Sequence, residues 1–175
     1  MSGQPSESWN KNPDPATGQD HTWYEPDVVL CPSPFSKHLF LESVVDASDC
    51  EVIYLDFDLL YSGYVSSGMT DPHTTLLIRN PSRESWNMEL TNTLRMISQE
   101  RYLVILDSLN TLSALWSRSG SKHLAACSVM LMSSLGRKTG THILIAAVGR
   151  QTKNGWELLP GGRLMPGLNA RSVSL

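Results

Sequence analysis

The chain has 175 residues, of which 41% are hydrophobic and 18% charged, with a formal net charge of −3. That length favours one domain burying roughly two thirds of its unfolded surface, so no disulfide or metal staple is required. The balance excludes a disordered chain and a strongly basic nucleic-acid module, and no apolar run approaches the ~18 residues of a membrane span. Residues 1–26, MSGQPSESWNKNPDPATGQDHTWYEP, carry four prolines, many small polar residues and almost no aliphatics. That composition predicts a flexible N-terminal tail, 1–26, ahead of one folded domain, 27–175. Trp9, Trp23 and Tyr24 are aromatic exceptions that could dock on the domain or on a partner chain. The polar start lacks a secretory pattern. Cys31, Cys50 and Cys127 fit neither a CxxC nor a zinc spacing, and the five histidines show no metal spacing. Reduced cysteines, no metal, and a cytoplasmic location (nuclear in a eukaryote) are the expectation.

From Asp27 the pattern turns regular. Val28–Cys31 is an apolar run closed by Pro32 and Pro34, a strand followed by a loop. Ser36 to Ala47 reads as a helix. Val52–Asp56 and Thr75–Arg79 are further runs of strand length. Ser85 to Glu100 places Trp86, Leu90, Leu94 and Ile97 at helical spacing, with Ser82 or Ser85 as cap. Arg101–Asp107 holds the clearest buried strand, its apolar residues running without alternation as both-face burial requires. A short helix over Leu109–Trp116, the polar loop 117–123, a helix over Leu124–Lys138 and an apolar strand over Thr141–Val148 follow. Weaker strands are expected near Trp156–Leu159 and Ala170–Leu175.

Strands alternating with helices predict an α/β domain, a mostly parallel sheet with helices on both faces. In such sheets the working crevice lies beyond the C-terminal ends of the strands. Cys31–Lys37, Asp56–Asp58, Asp107–Ser108 and Gly149–Gln151 all leave such ends and would share one rim.

The first of these segments occupies the place of a phosphate-binding loop, GxxxxGK[ST], between a strand and a helix. Here the window reads Cys31-Pro-Ser-Pro-Phe-Ser-Lys37-His38. The lysine is in place. Both glycines are replaced, by Cys31 and Ser36, and His38 stands where a Ser or Thr would hold Mg²⁺. Pro32 and Pro34 remove two N–H donors from any phosphate cradle. The plain alternative for Lys37 is a solvated lysine in the first turn of a helix. Asp107 ends a hydrophobic strand, where nucleotide-hydrolysing P-loop proteins hold Mg²⁺. Asp58, two residues beyond Asp56, occupies the position of a water-activating acid but is one methylene shorter than glutamate, and small misplacements cost catalysis heavily.

The order strand, P-loop position, helix, YLDFD, VILDSLNTL, SRSGSKH, long helix, HILIAAVGRQ and PGGRLMPGLNARSVSL resembles the RecA-like core of RadA recombinases, their paralogues and KaiC-type ATPases, over about residues 27–175. Asp56 with Asp58, Asp107 with Ser108, Gln151, Gly161 with Gly162, and Arg171 sit at that family's motif places. The resemblance implies a P-loop NTPase-type fold and a nucleotide site of which Ser36, Lys37, His38, Asp107, Ser108 and Gln151 are vestiges, with Lys37, Asp58 and Asp107 as vestigial catalytic groups. With the loop altered, the chain is most similar in character to ATP-site-deficient members such as Shu-type paralogues and Elongator RecA-like subunits. These imply no cofactor, no hydrolysis, and assembly with other RecA-like subunits into homo- or hetero-oligomers. The loops that face DNA in the resembled recombinases carry Arg118, Lys122, Arg150 and Lys153 here, with His123 and Arg163 nearby, so a weak, salt-dependent contact with single-stranded DNA or RNA is implied.

The leading expectation is therefore a pseudo-ATPase acting as a structural or regulatory subunit in nucleic-acid processing such as recombination or repair. The alternatives are a KaiC/RadA-type ATPase that still binds ATP-Mg²⁺ through an atypical loop, and an interaction module without nucleic acid.

Overall fold

A computed structural model describes residues 26–71, 73, 75–117, 123–153, 155–158 and 170–172. The expected tail, up to residue 25, lies outside the described residues. In chain order the elements are β1 (Asp27–Cys31), α1 (Pro34–Asp46), β2 (Val52–Leu55), α2 (Leu60–Ser66), β3 (Leu76–Arg79), α3 (Trp86–Ile97), β4 (Leu103–Leu106), α4 (Leu109–Ser117), α5 (His123–Gly136), β5 (His142–Thr152), β6 (Gly155–Leu158) and β7 (Ala170–Ser172).

The unbroken apolar runs make the sheet. Its strand order is β3-β2-β4-β5-β1-β7 with every neighbouring pair parallel, and β6 is added antiparallel to β5. Alternate residues of each central strand point to opposite faces. Val28, Leu30, Ile53, Leu55, Val104, Leu106, Ile143 and Ile145 join the core under α3, α4 and α5, where Trp86, Ile97, Leu112 and Val129 are buried. Val29, Cys31, Val52, Tyr54, Ile105 and Leu144 join the core under α1 and α2, with Leu41, Val45 and Tyr61. Apolar residues at successive strand positions thus feed two cores, one per face, which is the both-face burial that the unalternating runs predict. The chain crosses from β1 past β5 and β4 to β2 on the α1 face, then returns toward β5 on the other. All the parallel strands end on the same rim.

Two expectations about that rim change. The helix after β1 starts at Pro34, two residues earlier than Ser36. Ser33 is its N-cap, accepting from Ser36 N at 3.1 Å, while Ser36 Oγ accepts from Ser33 N at 3.1 Å, and Pro34 takes the first helical position. Pro34, read as a loop breaker, therefore helps to start the helix. And β5 does not end at Val148. It continues to Thr152 because β6 pairs with it from Gly149 to Thr152, so Gly149–Gln151 is strand and not a rim loop. No helix among the described residues is long and apolar enough to cross a membrane.

Candidate functional site

The link between β1 and α1 is only Pro32 and Ser33. Pro32 and Pro34 have no N–H. Ser33 and Ser36 spend theirs on each other's hydroxyls, and Lys37 N donates to the Ser33 carbonyl at 3.0 Å. Of the six residues 32–37, at most Phe35 has an N–H to offer an outside anion. A cradle for a polyphosphate needs several convergent N–H groups, so the segment does not fit one.

Lys37 is the fourth residue of α1, and the helical start turns its side chain inward. It is 1% exposed, a correction to the solvated lysine that its place in a first turn suggests. Its Nζ donates to Asp58 Oδ2 at 2.7 Å and to the Asp107 carbonyl at 2.7 Å. Asp58 accepts a second hydrogen bond, from Thr111 Oγ1 on α4. Burial alone would raise the Asp58 pKa, but the hydrogen bonds from Lys37 and Thr111, with the lysine charge, hold it below its ordinary value. One lysine thus ties the start of α1, the turn after β2 and the start of α4.

Asp107 faces inward. Its Oδ1 accepts from Phe57 N at 2.7 Å. Its Oδ2 is buried without a hydrogen-bond partner, and the Lys37 ammonium lies 3.9 Å away. Burial pushes its pKa well above the ordinary carboxylate value. Lys37 works against that shift, and the charges of Asp56 and Asp58 add to it. Asp56 Oδ2 accepts from Ser62 N at 2.8 Å and from Ser62 Oγ at 2.5 Å. A carboxylate there satisfies one orphan N–H in the first turn of α2 and suits the helix dipole. Ser108 has its own local task. Its Oγ accepts from Thr111 N at 3.1 Å and donates to Thr111 Oγ1 at 3.2 Å, at the start of α4.

Of the residues singled out from the sequence, Lys37, Asp58, Asp107 and Ser108 therefore converge. Among the described residues, Ser36, His38, Gln151, Arg150 and Lys153 do not join them. Ser36 is consumed in the α1 cap. His38 is buried toward α2, stacked on Tyr64 with ring centroids 4.1 Å apart and with Nε2 3.3 Å from Thr70 Oγ1. Burial lowers its pKa, although Glu42 and Asp56 work the other way. Gln151 is exposed on the β5 extension, with Trp156 as its register partner. Arg150 is exposed but reaches Glu157 Oε2 at 3.3 Å across the β5–β6 hairpin, and Lys153 is exposed in the hairpin turn. Arg150 therefore lies within a strand and not in a loop, whereas Lys153 follows the end of β5 in the turn. Arg118, Lys122, Gly161, Gly162 and Arg163 lie outside the described residues, and for Arg171 the backbone alone is described. Among the described residues no group of three or more His, Cys, Asp or Glu side chains could hold a metal ion.

Thr111 is the functional partner that sequence reasoning misses. Its signal was the S-x-x-T spacing of Ser108 and Thr111 directly after a strand, a helix-start pattern. No family model matches the chain, and no curated protein matches its sequence.

Proposed function

We propose that this chain is a RecA-like pseudo-ATPase, a domain that keeps the rim of a nucleotide-hydrolysing P-loop protein and uses it as a structural joint. Its role is that of a structural or regulatory subunit in an oligomeric complex, with nucleic-acid processing as the setting. The observation that carries the reading is the state of Lys37. A lysine at the phosphate-contacting position is sealed at 1% exposure between Asp58 and the Asp107 carbonyl. To meet a phosphate it would have to leave both partners, and the turn below it would have to unwind to release its N–H groups. A parallel sheet whose β1, β2 and β4 ends bring Lys37, Asp58 and Asp107 together supports the RecA-like part. The nucleic-acid part rests on the basic residues Arg150 and Lys153 of the β5–β6 hairpin, together with Arg118 and Lys122.

Calorimetric titration of the full chain with ATP-Mg²⁺, alongside phosphate release, tests the first part. No heat of binding and no turnover above background are expected. Saturable binding that Lys37→Ala abolishes would make the atypical ATPase the better reading. A salt series with single- and double-stranded oligonucleotides tests the second. Each cation lost from Arg118, Lys122, Arg150 and Lys153 should flatten the salt slope by about one unit. No binding even at low salt would remove nucleic acid from the proposal.

A further inference from the structure

Two helices on opposite faces of the sheet carry large apolar side chains that stand exposed. On α1, Phe35 and Leu39 stand exposed, followed by Glu42 and the exposed Asp46. Spacings of four, three and four residues put all four on one helical face. Asp46 sits in the last turn of α1, which has no basic residue. A negative charge there opposes the helix dipole, and the 3.4 Å contact with His73 is made at the surface. On α5, Leu124, Cys127, Leu131 and Ser134 form one exposed stripe with Met130 beside it, and exposed Lys138 continues it just past the helix. From Leu124 to Gly136 that helix has no charged residue at all.

The two faces are complementary in one arrangement. Each is apolar toward its N-terminal end, at the rim, and charged at the other, acidic on α1 and basic on α5. Pairing α5 with α5 would set cation on cation when parallel and Lys138 on Leu124 when antiparallel. Pairing α1 with α5 in parallel sets Phe35 and Leu39 on Leu124, Cys127 and Leu131, and brings Asp46 to Lys138. Both helices run against the strands, so the two copies keep the same orientation.

We infer that the partner of the α5 face is the α1 face of a second copy of this chain. Every copy carries both faces on opposite sides of its sheet, so the contact is heterologous and repeats into a ring or an open stack. Each face offers a handful of side chains where a standard interface uses ~20–30 residues a side, so single contacts are weak and assembly is concentration-dependent. The inference deepens the oligomeric half of the proposed function and rests on it.

Sedimentation equilibrium of the full chain, from micromolar to near-millimolar concentration, tests this with two variants, Phe35→Glu and Leu131→Glu. Both sites are exposed, and circular dichroism checks that each variant keeps the wild-type melt. The wild type should grow in mean mass with concentration, and each variant alone should stay monomeric. Mixed, they should form a one-to-one dimer and nothing larger, because each retains one intact face. Lys138→Glu should weaken wild-type growth, and Asp46→Lys added to it should restore growth. A wild type that stays monomeric throughout, variants that fail to combine, or a dimer that survives either variant alone would each overturn the inference. A growth pattern set by an added acidic helical peptide on α5, without self-association, would do so as well. ATP-Mg²⁺ binding is read on the same samples. A stacking chain that binds nucleotide sinks the pseudo-ATPase reading alone, and a nucleotide-inert monomer sinks the stack alone.

Discussion

Replacing Lys37 by methionine tests whether the lysine is a joint or a ligand. Methionine keeps most of the buried aliphatic stem and removes the ammonium. The loss comprises the 2.7 Å bond to Asp58, the 2.7 Å bond to the Asp107 carbonyl and the ammonium 3.9 Å from the buried Asp107 Oδ2. Removing one partner of a buried ion pair costs ~3–5 kcal/mol. Asp58 is 32% exposed, so water relieves part of its loss. The lower end, about 3 kcal/mol, is therefore expected. For a chain of this length that corresponds to a fall in Tm of roughly 6–12 °C. Urea unfolding followed by circular dichroism measures it. Combining Lys37→Met with Asp58→Asn should cost less than the sum of the singles, with a coupling of ~1–3 kcal/mol, because the second change removes a charge already stranded by the first. A phosphate-binding lysine would behave the other way, since a solvent-facing ammonium can go at little cost to the fold. A Lys37→Met stability within about 0.5 kcal/mol of wild type, the range of ordinary surface changes, would refute the joint.

Asp107→Asn should raise stability at neutral pH. A carboxyl whose folded pKa lies above its unfolded value is destabilising once ionised, and the amide oxygen can still accept from Phe57 N; a lower urea midpoint than wild type would count against it. Asp58 has the opposite sign, its folded pKa lying below its unfolded one. Its contribution is complete above the ordinary aspartate value and is lost as pH falls through the folded one, so Asp58→Asn should flatten the acid limb of the stability profile. Cys31 is fully buried and its thiol is pushed up to about 11, while Cys127 is exposed. Alkylation of the native chain near neutral pH, mapped by peptide mass, should mark Cys127 and spare Cys31. Leu59 holds a left-handed φ of 56° with its side chain largely exposed. Leu59→Gly should therefore stabilise by up to ~1 kcal/mol, read as a higher urea midpoint.

The sheet was legible because Val28–Cys31, Val52–Leu55, Leu103–Leu106 and Ile143–Ala147 are runs that a half-exposed strand could not tolerate. Those four segments lie side by side in parallel register. What the residues hid was decided by partners far along the chain. Helix α2, with the sequence LYSGYVS, has no apolar period to announce it. It is held by the Asp56 carboxylate at its first turn and by the burial of Tyr61. The residues Gly149–Thr152 look like a loop, and only pairing with β6 makes them a strand. Pro32 and Pro34 signal a break equally well before a loop and before a helix. Ser33 between them, with Ser36 three residues on, decides for the helix. Most consequential is Lys37. Its partner Asp58 lies 21 residues away and the Asp107 carbonyl 70 away. No local pattern distinguishes a lysine reaching out to solvent from one folded back across a rim.

Charge arithmetic explains why the rim closes on itself. A lysine, two acids and a hydroxyl at the ends of β1, β2 and β4 carry an excess of negative charge wherever the sheet brings them together. With an open loop, that charge would have to be met by an ion or ligand brought from outside. A link of only Pro32 and Ser33 draws the lysine inward instead, so its charge is spent on Asp58. Asp58 then has both of its oxygens engaged, and Asp107 is left with one oxygen unpartnered and its carboxyl raised toward the neutral form. Opening the loop alone would not free Lys37, because Asp58 and the Asp107 carbonyl would still hold it and Thr111 would still hold Asp58. Three contacts would have to be lost together, at a combined cost of several kcal/mol. That cost is comparable to the free energy of a ligand bound at about micromolar affinity, and it must come from whatever would displace the lysine.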